Sequence, residues 1–440
     1  MSTTLRSNNL HTIARSIFAT AMQAVDVRSE VAGQIVVRDE TLTLAGRSIA
    51  RCDLDRVVVI AMGKAAVPMY QSAMQQLAGI ATQAVVVAPA ATLPAQNADF
   101  LPGSHPSPDE RSAVAAAAVL ALLCSVGPRD AVLFLISGGA SAMVEQPLDA
   151  NISLDDTAAF HRALVASGKP IAAMNTLRKH FSAVKGGRLA VAAAAAAMQC
   201  TLLVSDAPTC APDAIASGPS LPDTTTMADC NRLLAELGHT LPRSVHNFFV
   251  DPLMRETPKP RDAAFTRAHW QVILSSDHLA WAALHAAQAH GFHSVIDNAC
   301  DEWEYRDAAL YLLDRSATLA REHPRSCVIS VGEVSVTLSD NAGEGGRNQQ
   351  FALWCADELA RRSQRVTILS AGSDGIDGHS TAAGGTISET TAARAAAIGL
   401  STQDALQRFN TAPLLQALGD DITIGPTGNN LRDLRLLLTE

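Results

Sequence analysis

The residues of this chain that could do chemistry stand just past apolar runs and beside glycines. Lys64 follows "VVVIAMG", Ser137-Gly138-Gly139-Ala140-Ser141 follows "AVLFLI", and Asp206 follows "TLLVS". Further on, Glu333 follows "VISVG", and Ser373, Asp374 and Asp377 lie in "SAGSDGIDG". Arg347, with Asn348 beside it, sits in "GEGGRNQQ" at the mouth of the helical pattern "FALWCADELA". Glycines let backbone approach an anion, exposed N–H groups donate to it, and a helix start favours negative charge. An arginine there adds a forked guanidinium suited to phosphate or carboxylate oxygens. Asp206, Asp374 and Asp377 offer hard oxygens for a divalent cation or a ligand hydroxyl, and Asp206 and Asp374 equally suit a proton acceptor. For each aspartate a turn or cap role competes with these.

The densest basic stretch is "NTLRKHFSAVKGGRLA", residues 175–190, with Arg178, Lys179, Lys185 and Arg188. It contains no acid at i,i+4 spacing, so anion binding stands against the blander reading of a solvated helix face. Helical spacing would put Arg178 and Lys185 on one face. His105, in the rigid loop "PGSHPSPDE", is a substrate contact only on weak grounds, since a lone loop histidine is more often structural. There is no P-loop signature, and no GxGxxG after an early strand followed by an acid, which counts against a standard nicotinamide dehydrogenase.

These groups need a frame. Continuous apolar runs at 56–61, 84–90, 131–136 and 200–205 alternate with glycine turns and helical patterns, which predicts a doubly wound parallel sheet covered on both faces. In such sheets ligands bind beyond the carboxyl ends of the strands, where the groups above fall. Residues 237–265 turn rich in proline and charge, so we place the connection between two domains near 255–265, giving domains 1–255 and 265–440. After it, "WQVILSS", "SCVISVGEVSVTLSD" and "RVTILSAG" read as strands, and the alternation through "EVSVTLS" suggests a mixed sheet in an α/β second domain. A helix "TQDALQRFN" and a short strand "DITIG" close the reading.

With 440 residues, 48% hydrophobic and 18% charged, the chain can bury large cores. The net charge of −9 and the 4% aromatic content exclude a basic, aromatic nucleic-acid surface. Eight cysteines without a CxxC pair fit a reduced, cytoplasmic protein rather than a disulfide framework or a zinc site. The N-terminal "LHTIARSIFATAMQAV" reads as an amphipathic helix rather than a transit peptide, and the alanine-rich runs are too short to span a membrane.

Taken together, the chain resembles the class II glycerate kinases (glycerate 2-kinases), the DUF4147 proteins with a C-terminal MOFRL-type domain. The resemblance runs through nearly the whole chain, in order: "AMGKAA" 61–66, "GSHPSPDE" 103–110, "LISGGASAM" 135–143, "NTLRKHFSAVKGGRLA" 175–190, "AIASGPSLPD" 214–223, "GEGGRNQQFAL" 343–353 and "SAGSDGIDG" 370–378. It implies a Rossmann-like first domain, a second α/β domain and an active site in the cleft between them. It implies phosphoryl transfer from ATP, with Mg²⁺, to the 2-hydroxyl of D-glycerate. The family's active-site lysine matches Lys64 and its active-site arginine matches Arg347. Three positions depart from the family pattern: Val331 stands for a glycine, Asn429 for a threonine and Leu431 for a valine. The expected partners are D-glycerate and ATP, without nucleic acid or membrane, and a homodimer is compatible with the reading. The alternatives are a hydroxypyruvate reductase, a kinase of a related small hydroxy acid, and a sensor that binds a sugar acid without ATP turnover.

Overall fold

The computed structural model describes residues 3–89, 98–205, 212–251, 254–338 and 342–440. The chain forms two compact units, Val27–Ile273 and Met1–Asp26 with Leu274–Glu440. The division differs from the sequence reading at the N-terminus. The apolar stripe Ala14, Ile17, Phe18 and Ala21 of the helix Thr3–Ala24 is buried in the second unit, against the helix Ser276–Ala289. Arg15 ties it there by donating to the Gly419 and Asp421 carbonyls at 3.0 and 2.9 Å.

In the unit Val27–Ile273, a small antiparallel sheet (β1 Ile35–Val37, β2 Thr41–Leu44, β3 Arg47–Ala50) precedes the main one. The main sheet comprises β4 Arg56–Met62, β5 Thr82–Ala88, β6 Ala98–Pro102, β7 Asp130–Ser137, β8 Met198–Val204 and β9 Ala268–Leu274. Their order is β6-β5-β4-β7-β8-β9, and the pairs from β6 to β8 are parallel. β7 and β8 are buried along their whole length, which is why their sequences are mostly apolar, with Gln199 and Thr201 of β8 hydrogen-bonded in the interior. The chain grows outward from β4 through β5 to β6, then crosses back to β7. The strand order therefore reverses between β4 and β7, the place where open α/β sheets bind ligands.

The other unit carries the expected mixed sheet, for a different reason. Its strands are β10 His293–Ile296, β11 Ser326–Gly332, β12 Thr367–Gly372, β13 Gly384–Ile387, β14 Asp421–Ile422 and β15 Asp433–Thr439, in the order β10-β11-β15-β12-β13-β14. The described part of "EVSVTLS", residues 333–338, forms no strand; within it Ser335 makes an isolated bridge to Glu304. The sheet is mixed because β10 and β11 pair in parallel while the other pairs are antiparallel, among them both pairs of the last strand, β15, inserted between β11 and β12. Its register opposes Asp433 to Gly332 on one side and to Gly372 on the other. One end of the sheet thus gathers the ends of β11 and β12 and the start of β15. The helices Tyr305–Glu322 and Arg347–Arg362 supply the adjoining core through Leu312, Phe351, Leu353 and Leu359. No helix among the described residues is long and apolar enough to cross a membrane, and the described cysteines are free.

Candidate active site

In the unit Val27–Ile273, the turns after β4 and β7 are bonded to each other. The Lys64 N–H donates to the Gly138 carbonyl at 2.9 Å and the Ala65 N–H to Ser137 Oγ at 2.9 Å. Gly63 has φ +113, and a Cβ there would lie 2.4 Å from the Ser137 carbonyl oxygen, so only glycine permits this approach. Gly139, φ +86, opens the short helix Ala140–Met143; a Cβ on it would meet His105 Cδ2 at 3.3 Å and Lys64 Cγ at 3.4 Å. Lys64, His105 and the Gly138–Gly139 backbone therefore share one small space at the reversal point. Burial first, and then the Lys64 charge, lower the His105 pKa below its usual value, which favours the neutral ring. Ser137 is wholly buried, and its hydroxyl holds the two turns together rather than facing a ligand.

Ser141 is drawn into a second group, bonded to Ser217 Oγ at 3.0 Å, while Ser217 donates to Asn175 Oδ1 at 3.0 Å. Arg178 Nη1 reaches the same Asn175 oxygen at 3.4 Å, and its Nε has no partner among the described residues. Burial lowers the Arg178 pKa, Glu145 opposing, so this guanidinium is poorly solvated and short of acceptors. Asn175 and Ser217 are site residues the sequence reading did not single out.

Lys179 and Lys185 are corrections. The helix Ile171–Phe181 ends before Lys185, so no shared face with Arg178 exists. Lys179 is buried between Asp213, at 2.5 Å, and Asp223, at 3.1 Å. Lys185 is buried against Glu145, which also meets His161 Nε2 at 2.8 Å. Burial alone would raise the Glu145 pKa, but Lys185 and His161 outweigh it and hold it at about 2. The compensating acids lie some tens of residues away in sequence, where i,i+4 spacing cannot find them. Both lysines act as internal ion pairs.

In the other unit Arg347 is the first residue of the helix Arg347–Arg362. Its Nε donates to Asp433 Oδ2 at 2.7 Å, and its Nη2 lies 3.3 Å from Asp433 Oδ1 and 2.8 Å from Glu333 Oε1. Burial works against the guanidinium charge, but Asp433 and then Glu333 more than offset it and raise its pKa. Burial pushes the Glu333 carboxyl up, with Arg347 opposing. Arg347 remains about one third exposed, at 36%. A cation at a helix N-terminus opposes the helix dipole, so the arginine is not there to cap the helix.

The cap comes from elsewhere. Asp377 Oδ2 accepts the Gln349 N–H at 2.8 Å and Oδ1 the Asn348 N–H at 3.1 Å. A Cβ on Gly346 would lie 2.3 Å from the Asp377 carboxyl, and one on Gly378 2.4 Å from the Gly345 carbonyl. Gly346 and Gly378 thus let the segment before Arg347 lie directly on the loop at 377–378, while Gly343 and Gly345 leave room for Asn410 and Thr411. Asn348, buried, is held by Asp377 and by Ser370 Oγ at 2.6 Å. Asn348 and Asp377 are therefore also corrections: their polar atoms fix the start of the arginine's helix instead of facing a ligand.

Burial pushes the Asp377 carboxyl up to about 7, against the bonds from Gln349 and Asn348. The folded state then holds a proton that the unfolded chain has released. The associated stability is complete below about pH 4 and is lost as the pH rises through about 7, on the order of 4 kcal/mol in all. Urea unfolding at several pH values checks this: Asp377→Asn is expected to flatten the decline while retaining an acceptor for the cap.

Ser373 and Asp374 follow directly on β12. The loop 425–431 secures them: Thr427 Oγ1 donates to the Ser373 carbonyl at 2.6 Å, and the Leu431 N–H to Ser373 Oγ at 2.7 Å. The departures at Asn429 and Leu431 are buried parts of this support; Asn429 Nδ2 donates to the Val25 carbonyl at 2.8 Å. A Cβ on Gly372 would lie 3.1 Å from Asp374 Oδ1 and 3.5 Å from Asp433 Oδ1, so two carboxylate oxygens front one space that a glycine leaves open. Among the described residues no three His, Cys, Asp or Glu side chains are gathered as a metal cage. Mg²⁺ commonly takes one or two carboxylates and completes its shell with phosphates and water, so Asp374 fits that cation. Asp206 lies outside the described residues. Asp433, Asp301 and Arg432 are further site residues the sequence reading missed. Arg432, at φ +67, is held by Asp301 at 2.5 Å, and Asp301 also accepts the Glu333 N–H at 3.0 Å.

The model of a family described as "Domain of unknown function (DUF4147)" matches residues 13–250, and that of the MOFRL family matches residues 326–433. The chain belongs to this family. It is 33% identical to a D-glycerate 2-kinase of Thermotoga maritima over 88% of this chain and 91% of that one. It is also 33% identical to a protein of Agrobacterium vitis named as a hydroxypyruvate reductase, over 97% and 94%. A solved structure of a glycerate kinase from Thermotoga maritima superposes with a TM-score of 0.83 at 30% identity, covering 98% of this chain and all of that one.

Proposed function

We infer that the chain is a glycerate 2-kinase, transferring the γ-phosphoryl group of ATP to the 2-hydroxyl of D-glycerate to give 2-phospho-D-glycerate and ADP. The observation that carries this reading is the fold match to a glycerate kinase over 98% of the chain, with Lys64 just past the end of β4 and Arg347 opening a helix beside Asp433 at the start of β15. The reductase name on a relative finds less support here. The turn after β4 runs Gly-Lys-Ala-Ala, where a dinucleotide binder would carry its glycine fingerprint.

In the reaction the 2-hydroxyl oxygen forms a bond to the γ-phosphorus as the bond to the β,γ-bridging oxygen breaks. ADP leaves with that electron pair, and the hydroxyl proton passes to a carboxylate, for which we propose Asp206. The transition state spreads negative charge over the phosphoryl oxygens, so positive charge and positioning do most of the work. We assign that charge to Lys64 and Arg347. The Gly138–Gly139 backbone, Ser141 and Arg178 suit the glycerate carboxylate or a nucleotide phosphate. Asp374 would hold Mg²⁺, which neutralises phosphate charge when bound. Glu333 and Asp433 steer Arg347, and Ser137, Lys179, Lys185, Asn348 and Asp377 hold the frame. A cytoplasmic location agrees with the free thiols, and size-exclusion chromatography tests the homodimer.

Purified protein with ATP, Mg²⁺ and D-glycerate is expected to release ADP only when glycerate is present. A parallel assay with NADH and hydroxypyruvate is expected to show no oxidation. NADH oxidation without glycerate-dependent ADP would overturn the kinase in favour of the reductase.

A further inference from the structure

β15 reads "DLRLLLT", and its leucines 434, 436, 437 and 438 are wholly buried. So is Arg435, the largest wholly buried side chain among those described. It sits in the middle of the sheet, opposite Ser330 on β11 and Ser370 on β12. A leucine or methionine would fill this position without desolvating a charge, and buried charges are commonly neutral or unfavourable for stability against such replacements. Nor is the guanidinium well satisfied: Nε and Nη1 have no partner among the described residues. Folding alone gives little reason for an arginine here.

Its contacts supply another. Nη2 donates to the Gly332 carbonyl at 3.1 Å, immediately before Glu333, and lies 3.7 Å from Asp433 Oδ2. The guanidinium carbon stands 5.3 Å from the ring centre of Phe351, one helical turn beyond Arg347. The first two contacts bear on the Asp433 carboxylate and on the strand end that carries Glu333, the two acids that hold Arg347, and the third bears on Arg347's own helix. Charges alternate along the series Glu333, Arg347, Asp433, Arg435, with the last member sealed in the core. We propose that Arg435 is a positioning residue for phosphoryl transfer: it fixes the Asp433 carboxylate and the Gly332–Glu333 strand end, so that Arg347 is presented in one orientation. This rests on the reading that Arg347 serves the kinase reaction.

The test is a double-mutant cycle of Arg435→Met and Asp433→Asn in the full chain, with Arg435→Lys alongside, reading kcat, KM and the thermal midpoint. Arg435→Met is expected to fold and to lower kcat/KM about 30-fold, mostly through kcat, with Arg435→Lys recovering part of the loss. On the Asp433→Asn background the same change is expected to cost under about threefold, because the group it acts through is already altered. Equal losses on both backgrounds, or full activity in Arg435→Met, would overturn the proposal. If Arg435→Met does not fold, Arg435→Lys carries the same cycle and the same criteria. A wild-type protein without glycerate-dependent ADP release would instead remove the underlying kinase reading, so the two failures are distinct.

Discussion

Arg347→Lys is expected to lower kcat/KM for glycerate-dependent ADP release about 100-fold or more, with little change in the thermal midpoint. The guanidinium meets Asp433 through Nε and Nη2 and Glu333 through Nη2, a planar fork on two carboxylates. An ammonium is a point charge and can satisfy one of them at a time. The lysine variant keeps the charge and loses the orientation, which is the property the reaction needs. The fold should tolerate it, because the side chain is partly exposed and the helix start is held by Asp377 through backbone N–H groups. Steady-state kinetics beside a melting curve decide the matter. Near-normal kcat/KM would reduce Arg347 to a member of a structural ion pair.

Lys64→Ala is expected to cost still more, about 1,000-fold in kcat/KM, since a preorganised charge facing the transferring group acts mainly in the transition state. Here too the fold should survive. The turn is held by the Lys64 backbone N–H on Gly138 and by Ala65 on Ser137, and among the described residues the Lys64 ammonium makes no ion pair. A lysine left uncompensated at a strand-order reversal, beside a glycine-lined space, is placed to meet an anion. A loss confined to the KM for one substrate, with kcat intact, would show instead that Lys64 binds ground state and transition state alike.

The parallel sheet was legible because β4, β5, β7 and β8 are largely buried and read as mostly apolar runs, those of β4 and β7 followed by glycines. Those glycines also marked the turns that carry Lys64 and Gly138–Gly139. β15 was not legible as a strand. Its aspartate and arginine interrupt the apolar run, and nothing local reveals that its partners are β11 and β12, far earlier in the chain. Asp433 and Arg435 were missed with it, although a lone arginine among four leucines is a signal worth reading. Lys179 and Lys185 misled for a related reason: charge compensation was sought at helical spacing, whereas Asp213, Asp223 and Glu145 reach them through the fold. The reason for an arginine among the glycines of "GEGGRNQQ" needed the structure as well. Gly346 answers to the close approach of Asp377, Gly343 and Gly345 to Asn410 and Thr411, and the arginine to Asp433 and Glu333.

The most direct test of the central claim is ³¹P NMR of the product formed from ATP, Mg²⁺ and D-glycerate. The account predicts a resonance of 2-phosphoglycerate growing in step with ADP and absent from the Lys64→Ala and Arg347→Ala proteins. A 3-phosphoglycerate resonance, or no new phosphate ester from active protein, would contradict it.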